Sequence, residues 1–320
     1  MAELLPNYQN QILLAIYILG FIIFTQKTQN FINWVWSMFI RPPKKLTNYG
    51  SWALITGCTD GIGKALTFDL ASKGLNLILV DRNIEKLKIT SNEILKKFGG
   101  EKIEIKIIVI DFEKVIGEEI EGKIRAEIEG LDLGILINNV ELSSAKARFF
   151  HEIDLGGIHS LIDVNLRSLT WVTKAVISVM LKKKKGGVVN IGSGSSVVVP
   201  SYPLFALYAA TKGYVAQFSR SLSVEYQRYG IDIQCQVPLL VATKMTSIKK
   251  PSFFVPSPEQ YSKASMRWIG YDLLCVPYWT HALQWCLIDL MPESLVNWML
   301  FRNFLGLRKK MIQKELRQKK

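Results

Sequence analysis

The stretch that decides the fold is ITGCTDGIGKAL, residues 55–66. It follows an apolar run and precedes a segment of helical spacing, which places it at a strand-to-helix turn. Its glycines, Gly57, Gly61 and Gly63, have the spacing GxxxGxG. Glycine lets a backbone turn tightly and approach a pyrophosphate, which then rests on the helix N-terminus. The turn therefore predicts a dinucleotide-binding βαβ unit.

Short apolar runs alternate with segments of helical length across residues 51–238. The runs are rich in β-branched residues, as buried parallel strands are. They are SWALITG, LNLILV, KIIVI, LGILINN, GVVNIG and IDIQCQV, and the helical segments cover about 61–73, 83–98, 113–129, 157–182 and 206–228. This alternation predicts an α/β fold, a Rossmann-like doubly wound parallel sheet with helices on both faces.

The N-terminal segment predicts a membrane anchor. Residues 4–26 carry no charge, and as a helix they span about 34 Å, enough for a bilayer core. A second uncharged run carries Trp34 and Trp36, which suit a membrane interface, and RPPKK at 41–45 follows. The positive-inside rule then predicts that the bulk of the chain faces the cytosol. A cleaved signal peptide is less favoured, because the basic flank lies after the apolar run.

The C-terminal segment has a different character. Residues 273–288 are uncharged but contain Pro277 and His281, so they fit a membrane span poorly. They suit an amphipathic surface helix or a hydrophobic lip, with packing against the core as the alternative. The last 19 residues carry eight bases and one acid. This composition predicts a solvated tail that can lie on anionic headgroups.

Charge and cysteine content exclude several classes of protein. The net charge of +13 favours anionic partners. Much of it lies at the membrane-proximal ends, so nucleic acid is not an expected partner. The four cysteines show no CxxC spacing and the three histidines are dispersed. Neither a disulfide framework nor a metal site is expected.

A candidate acid–base pair follows in YAATK, which places Tyr208 and Lys212 four residues apart on one helix face. A tyrosine with a pKa of about 10 is a poor acid–base group at pH 7, and a neighbouring ammonium lowers that pKa. Upstream, NIGSGSS offers Ser193, Ser195 and Ser196 at the end of a strand.

With these motifs the chain resembles the short-chain dehydrogenase/reductases over about residues 50–245. The resemblance rests on the glycine turn, INN at 137–139, VN at 164–165, the serine strand end, YxxxK, and the pair Pro238 and Thr243. A narrower resemblance, to plant reductases of very-long-chain 3-oxoacyl-CoA in the fatty-acid elongase, rests on FFHEID, PSYPLFALYAATK, GIDIQCQVPLLVATKM and YWTHAL.

The resemblance implies four catalytic residues. Tyr208 would donate a proton to the substrate carbonyl, and Lys212 would hold the nicotinamide ribose and lower the tyrosine pKa. Asn165 would complete the set by holding a water, and a serine would hydrogen-bond the carbonyl. The usual family spacing selects Ser195, whereas the strand end selects Ser193. We favour Ser193, because strand position fixes geometry better than loop length does.

The resemblance also implies the residues that bind the cofactor. Asp111 would meet the adenine amino group, Asn138 the adenosine-side ribose, and Thr243 the nicotinamide carboxamide or its phosphate. The full set is Gly57, Thr59, Asp60, Gly61, Ile62, Gly63, Asp81, Arg82, Asp111, Asn138, Tyr208, Lys212, Val241 and Thr243.

Two positions bear on which cofactor binds and how well. Asp81 suits the free ribose hydroxyl of NADH, whereas Arg82 suits the 2′-phosphate of NADPH. We predict NADPH, with NADH as the alternative. The second position is Glu141, in NNVE at 138–141, where the family usually has NNAG. Its side chain either points to solvent or weakens cofactor binding.

The sequence thus predicts three parts: residues 1–45 as the anchor and its basic flank, 46–250 as the dinucleotide-binding reductase domain, and 251–320 as an apolar and basic extension. The predicted function is NADPH-dependent reduction of very-long-chain 3-oxoacyl-CoA at the endoplasmic reticulum membrane, with the catalytic domain cytosolic. Other elongase subunits are expected partners, and a homo-oligomer is left open. A steroid or other hydrophobic ketone is an alternative substrate, and a catalytically weak structural subunit of an elongase complex is an alternative function.

Overall fold

The computed structural model describes residues 5–99, 102–144 and 146–318. The chain forms two compact units, Met1–Pro42 and Pro43–Lys320. The first unit is helix α1 (Leu5–Val35), continued by a wider π-helical turn over Trp36–Ile40. The segment Tyr8–Ile40 is long and apolar enough to cross a bilayer, which is compatible with the predicted anchor. The uncharged run begins at residue 4, which lies outside the described residues.

A seven-stranded parallel sheet forms the second unit. Its strand order is β3-β2-β1-β4-β5-β6-β7, so the order reverses between β1 and β4. The strands are β1 (Trp52–Thr56), β2 (Asn76–Asp81), β3 (Ile105–Val109), β4 (Leu133–Asn138), β5 (Gly186–Ile191), β6 (Ile231–Gln236) and β7 (Leu274–Cys275). The predicted doubly wound α/β fold is confirmed.

Helices cover both faces of this sheet. They are α2 (Gly61–Ser72), α3 (Ile84–Phe98), α4 (Gly117–Ile128), α5 (Leu155–Ile162), α6 (Ser168–Lys183), α7 (Gly194–Val197), α8 (Ala206–Tyr226), α9 (Pro258–Trp268), α10 (Trp279–Asp289) and α11 (Glu293–Gln318). Successive strand residues face opposite sides. On β1, Leu54 therefore packs in the core beneath α4 and α6, and Ile55 packs in the core beneath α2 and α3.

The helix predicted over 157–182 is divided in the structure. Helix α5 ends at Ile162, a π-helical turn covers Asp163–Arg167, and α6 begins at Ser168. Such turns are rare and occur often at functional sites. Here the π-helical turn carries Asn165, whose side chain reaches the segment after β4.

The C-terminal segment is more ordered than its sequence predicts. Residues 274–275 form β7, which pairs with β6, and α10 begins two residues after Pro277. Side chains such as Val276 and Trp285 pack against the core, which is the alternative that the sequence analysis gave for residues 273–288. The basic residues expected in a solvated tail belong to helix α11, which ends at Gln318. Earlier in the same helix, Phe304 is buried.

Candidate active site

The candidate residues gather at the carboxyl ends of the central strands, next to the point where the strand order reverses. In open α/β sheets this crevice is where ligands bind, because loops from neighbouring strands diverge there. The glycine turn follows β1, Asp81 ends β2 and Asn138 ends β4. Ser193 follows β5, and the segment holding Val241 follows β6.

The glycine turn has the geometry of a phosphate-binding loop. Gly57 and Gly61 have φ angles of +67° and +53°, which residues with a side chain rarely adopt. A Cβ on Gly63 would lie 2.1 Å from the carbonyl oxygen of Gly57, so only glycine fits there. Asp60 caps α2 by accepting a hydrogen bond of 2.8 Å from the amide of Gly61. The free amides of the next residues, Ile62 among them, belong to the first turn of α2.

The end of β4 holds this turn in place through a residue that the motif analysis did not single out. The Asn139 side-chain amide donates to the carbonyl oxygens of Thr56 and Gly57, at 3.1 and 2.9 Å. In return, the Thr56 hydroxyl accepts from the backbone amides of Asn139 and Val140, each at 3.1 Å. Asn139 lies in the INN motif, so that motif was the one sign in the sequence that could have identified it.

At the end of β2, both oxygens of Asp81 have partners within the chain. One accepts from the Thr59 hydroxyl at 2.8 Å and the other from the backbone amide of Arg82 at 2.7 Å. The Arg82 guanidinium extends into solvent and pairs with Glu113 at 3.3 Å. A carboxylate and a guanidinium therefore lie at the position predicted to read the adenosine ribose.

The other residues predicted to bind the cofactor differ from one another in burial and in their contacts. Asp111 follows β3 and pairs with Lys114 at 3.4 Å. The Thr243 side chain lies near Gly61, 3.4 Å from where a Cβ would stand, while Val241 is buried. The Asn138 amide points into the core, and it donates to Thr173 and Asn190. The ribose contact of Asn138 therefore stays a prediction.

Tyr208 and Lys212 lie on one face of α8, as their spacing predicts. Both are buried, and the Lys212 ammonium donates to the Ile191 carbonyl at the end of β5, at 2.9 Å. Asn165 is linked to this pair through Thr211. Its amide donates to the Thr211 hydroxyl at 3.0 Å, and that hydroxyl donates to the Tyr208 carbonyl at 2.7 Å. Sequence analysis missed Thr211, although it stands inside YAATK.

The structure places Ser193, rather than Ser195, against Tyr208. The Ser193 hydroxyl lies near enough to the Tyr208 hydroxyl to lower the pKa of Tyr208, and it accepts a hydrogen bond of 3.2 Å from the Ser195 amide. The Ser195 hydroxyl is buried and has no hydrogen-bond partner among the described residues. Position at the strand end therefore locates the serine next to the tyrosine, which is the geometric argument that favoured it.

Glu141 turns into the site instead of toward solvent. Its carboxylate forms an ion pair with the Lys212 ammonium, and the side chains are 3% exposed for Lys212 and 21% for Glu141. The same oxygen accepts a hydrogen bond of 3.3 Å from the Tyr208 hydroxyl. Of the two alternatives that the sequence left open for Glu141, the structure excludes the solvent-facing one, because the nearby buried ammonium attracts the carboxylate.

These surroundings keep Tyr208 protonated at neutral pH. Burial, and then the negative charge of Glu141, raises the pKa of Tyr208 well above its usual 10, while the hydrogen bond from Ser193 lowers it in part. A protonated phenol is the form that donates a proton to a developing alkoxide. The site is thus arranged for acid catalysis, with a carboxylate that opposes loss of the proton.

An aromatic cluster lies at the start of α8, the helix that carries Tyr208. Phe304 of α11 packs edge-on against Tyr202 and Phe205, with ring centroids 4.8 and 5.3 Å apart. Arg308, one turn further on, pairs with Glu152 through a bond of 2.6 Å. The C-terminal helix is therefore attached to the loop that leads into α8, next to the tyrosine.

The chain is similar to a known family and to known proteins over most of its length. Residues 51–252 match the model described as short chain dehydrogenase. The chain is 50% identical over 283 residues to a very-long-chain 3-oxoacyl-CoA reductase-like protein of Arabidopsis thaliana, covering 87% of this chain and 88% of that protein. It is 38% identical over 275 residues to the very-long-chain 3-oxoacyl-CoA reductase of Anas platyrhynchos, covering 84% and 85%.

A third relative and two solved structures complete the comparison. The human inactive hydroxysteroid dehydrogenase-like protein 1 is 37% identical over 257 residues, covering 79% of this chain and 76% of that protein. A short-chain dehydrogenase from Sphingobium yanoikuyae in complex with NADPH has a TM-score of 0.62 at 26% identity, covering 74% and 92%. A 7β-hydroxysteroid dehydrogenase shares the fold, with a TM-score of 0.71 at 22% identity, covering 80% and 98%.

Proposed function

The chain belongs to the short-chain dehydrogenase/reductase family, and we propose that it reduces very-long-chain 3-oxoacyl-CoA to 3-hydroxyacyl-CoA with NADPH. The observation that carries the proposal is the group of Tyr208, Lys212, Ser193 and Asn165 at the sheet edge. Relatives named very-long-chain 3-oxoacyl-CoA reductase support the substrate class. The reduced product carries a hydroxyl at C3, as fatty-acid elongation requires.

The residues present fit a dinucleotide at its phosphate and adenosine ends. Gly57, Gly61 and Gly63 bring backbone close to the N-terminus of α2, whose free amides suit a pyrophosphate. Thr59, Asp81 and Arg82 would hold the adenosine ribose. The NADPH complex of a 26% identical relative supports NADPH as the cofactor, with NADH as the alternative.

In the proposed reaction, bound NADPH supplies a hydride to C3 of the substrate. Tyr208 would give its phenolic proton to the carbonyl oxygen, which stays bonded to C3 as the hydroxyl of the product. Ser193 donates a hydrogen bond to that oxygen as negative charge develops on it. Lys212 would hold the nicotinamide ribose and favour the phenolate that remains, and Asn165 keeps α8 in position through Thr211.

An apolar cover beside the site supports a long acyl chain as substrate. Tyr202 and Phe205 lie in the loop before α8, and Phe304 of α11 packs on them. Such a surface buries methylenes at about 0.8 kcal/mol each. The net charge of +13 would attract the phosphates of CoA.

For the cellular setting, we propose that residues 1–45 anchor the chain in the endoplasmic reticulum membrane with residues 46–250 as the cytosolic reductase domain. The apolar segment Tyr8–Ile40 and the basic residues that follow it support this orientation. Residues 251–320 extend the domain, and other elongase subunits are its proposed membrane partners. The chain-length preference and any homo-oligomer are separate questions for assay.

The decisive experiment is an assay of the detergent-solubilised full-length protein with 3-oxostearoyl-CoA and NADPH, following nicotinamide absorbance. Replacing Tyr208 by Phe removes only the phenolic hydroxyl. We expect a loss of turnover by a factor of about 100 to 10,000, the usual contribution of a positioned acid. NADPH binding should be retained. Turnover unchanged in Tyr208→Phe would contradict the proposed role.

The contact of Glu141 with Lys212 favours a second candidate, a catalytically weak subunit of an elongase complex. The assay separates the two. No turnover by the wild-type protein, with recovery in Glu141→Gly, would support the weak subunit. A steroid ketone serves as comparison substrate, and its reduction in the absence of acyl-CoA reduction would overturn the proposed substrate class.

A further inference from the structure

Glu141 lies where Lys212 must be accessible if the chain binds its cofactor as proposed, and this inference rests on that proposed function. We propose that Glu141 is an intramolecular competitor of the cofactor: its carboxylate holds the Lys212 ammonium and the Tyr208 hydroxyl until the cofactor's ribose hydroxyls displace it. Glu141 is therefore a residue that sets cofactor affinity.

The hydrogen-bonding capacity of Lys212 makes the competition direct. An ammonium has three protons. One is donated to the Ile191 carbonyl at 2.9 Å, and a second is taken by Glu141. The Glu141 oxygen also accepts from Tyr208. The Tyr208 hydroxyl has a single proton, so a group that accepts it must replace the Glu141 oxygen, and a ribose that takes the third Lys212 proton must share the ammonium with that carboxylate.

The position of Glu141 is fixed by its neighbours on both sides. The preceding amide, of Val140, donates to the Thr56 hydroxyl at 3.1 Å. The following residue, Leu142, exchanges two hydrogen bonds with the Asn165 side chain, of 2.7 and 2.9 Å. The backbone is thus anchored at both flanks, and the carboxylate can leave Lys212 by side-chain rotation alone.

Burial makes the ion pair between Glu141 and Lys212 strong enough to affect cofactor binding. Removing one partner of a buried ion pair leaves an uncompensated charge, which is strongly unfavourable. A cofactor that displaces Glu141 must supply equivalent hydrogen bonds to Lys212, so part of its binding free energy is offset. A charge-assisted hydrogen bond changes affinity by about tenfold or more.

The test measures NADPH binding without turnover. NADPH fluorescence is titrated with the detergent-solubilised full-length protein, with Glu141→Gly and with Glu141→Gln, which keeps the shape and removes the charge. We expect the dissociation constant to fall about tenfold in both variants. Glu119→Gln, which breaks an exposed ion pair with Lys123 on α4, is the matched control and should bind like the wild type.

Thermal unfolding gives a second readout that a merely structural glutamate would not produce. Without cofactor, Glu141→Gln should unfold at a lower temperature than the wild type, because Lys212 loses its counter-charge. With saturating NADPH the difference should shrink, since the cofactor then satisfies Lys212 and stabilises the variant more.

The outcomes separate this inference from the function on which it rests. Wild-type binding of NADPH with unchanged affinity in both Glu141 variants overturns the competitor and leaves the reductase proposal intact. Absence of NADPH binding in the wild type and in both variants contradicts the proposed function and the competitor together.

Discussion

At the scale of single residues, the adenosine end of the cofactor site combines two opposed signals. Asp81 places a carboxylate at the position predicted for the adenosine ribose, while Arg82 places a guanidinium beside it. The two oxygens of Asp81 bond to Thr59 and to the Arg82 amide, so its carboxylate stays near the ribose position. Arg82 in turn shares its guanidinium with Glu113. Discrimination between NADPH and NADH should therefore be weak.

Asp81→Ala should sharpen the preference for NADPH. Removing the carboxylate ends its repulsion of the phosphate and removes the acceptor for the NADH ribose hydroxyl. We expect the ratio of kcat/KM for NADPH over NADH to rise about tenfold, which corresponds to about 1.4 kcal/mol. Steady-state assays with both cofactors measure it. A variant that loses NADH use and cannot use NADPH either would refute this interpretation of the two residues.

His281 is a polar residue in an apolar run, and it was counted against a membrane span there. The structure buries it completely within the fold. Its Nδ1 accepts from the Leu239 amide at 3.2 Å, so its Nε2 must carry the proton that is donated to the Leu240 carbonyl at 3.1 Å. The neutral ring thereby fixes the loop after β6. Burial lowers the pKa of His281 to about 4, despite these carbonyl contacts.

His281 should make folding stability depend on pH in a defined window. Its folded pKa lies below the unfolded value of about 6.5, so its contribution is complete above pH 6.5. It is lost as the pH falls from 6.5 to about 4. At about 1.4 kcal/mol per pH unit this amounts to about 3 kcal/mol.

Urea unfolding in detergent at pH 7 and at pH 4.5 measures the effect. His281→Asn should show a weaker loss of stability between the two pH values than the wild type. His159→Asn, at an exposed histidine, is the control and should keep the wild-type loss. Equal pH dependence in wild type and His281→Asn would mean that other groups account for it.

At the scale of elements, helix α11 joins the basic C-terminal segment to the substrate side of the site. Phe304 is 7% exposed and touches Tyr202 and Phe205, whereas Leu316, further along the same helix, is 60% exposed. Phe304→Ala removes about 3 kcal/mol of local packing. The aromatic cover would then be loosened without any change to the tyrosine and lysine of α8.

We expect Phe304→Ala to weaken substrate binding to an extent that depends on the length of the acyl chain. KM for 3-oxostearoyl-CoA should rise about fivefold, while KM for 3-oxobutanoyl-CoA should stay about the same, because the short chain buries few methylenes. Leu316→Ala should leave both unchanged. Equal increases for both substrates would show that α11 supports the whole site instead of the acyl chain.

The elements show which features a sequence reveals. Six strands and most helices were predictable, because continuous apolar runs and helical spacing extend over many residues. The strand Leu274–Cys275 has only two residues, too few for a periodic signal, and it needs β6 beside it to form. The division at Asp163–Arg167 follows from side-chain bonds of Asn165 to Leu142, 23 positions away.

In the candidate site, too, the sequence did not reveal contacts between residues that are distant along the chain. Motifs located the tyrosine, the lysine and the serine at the strand end, because each has a fixed position relative to a strand or helix. They did not locate Thr211 as the link between Asn165 and Tyr208, since that link needs the π-helical turn and α8 side by side. The direction of Glu141 was left open by the sequence, because only the folded chain places a buried ammonium within its reach.

At the scale of the whole molecule, the chain combines a reductase unit with a separate apolar helix. The seven strands and the candidate site all lie in Pro43–Lys320, and Met1–Pro42 forms a unit of its own. Membrane attachment and catalysis should therefore be separable by truncation. The basic residues of α11 remain in the larger unit, and we expect them to give a weaker, charge-dependent attachment to anionic lipid.

If residues 1–42 are the membrane anchor proposed above, deleting them should leave only a charge-dependent attachment to lipid. We expect residues 43–320 to fold and to bind NADPH with the affinity of the full chain. They should sediment with anionic vesicles at low salt and be released at about 1 M salt, where charges are screened beyond about 3 Å. The full chain should stay with the membrane under both conditions, because its apolar helix binds independently of charge. Truncated protein that resists release would show that a second segment enters the bilayer, and α10 and α11 would then be the segments to test.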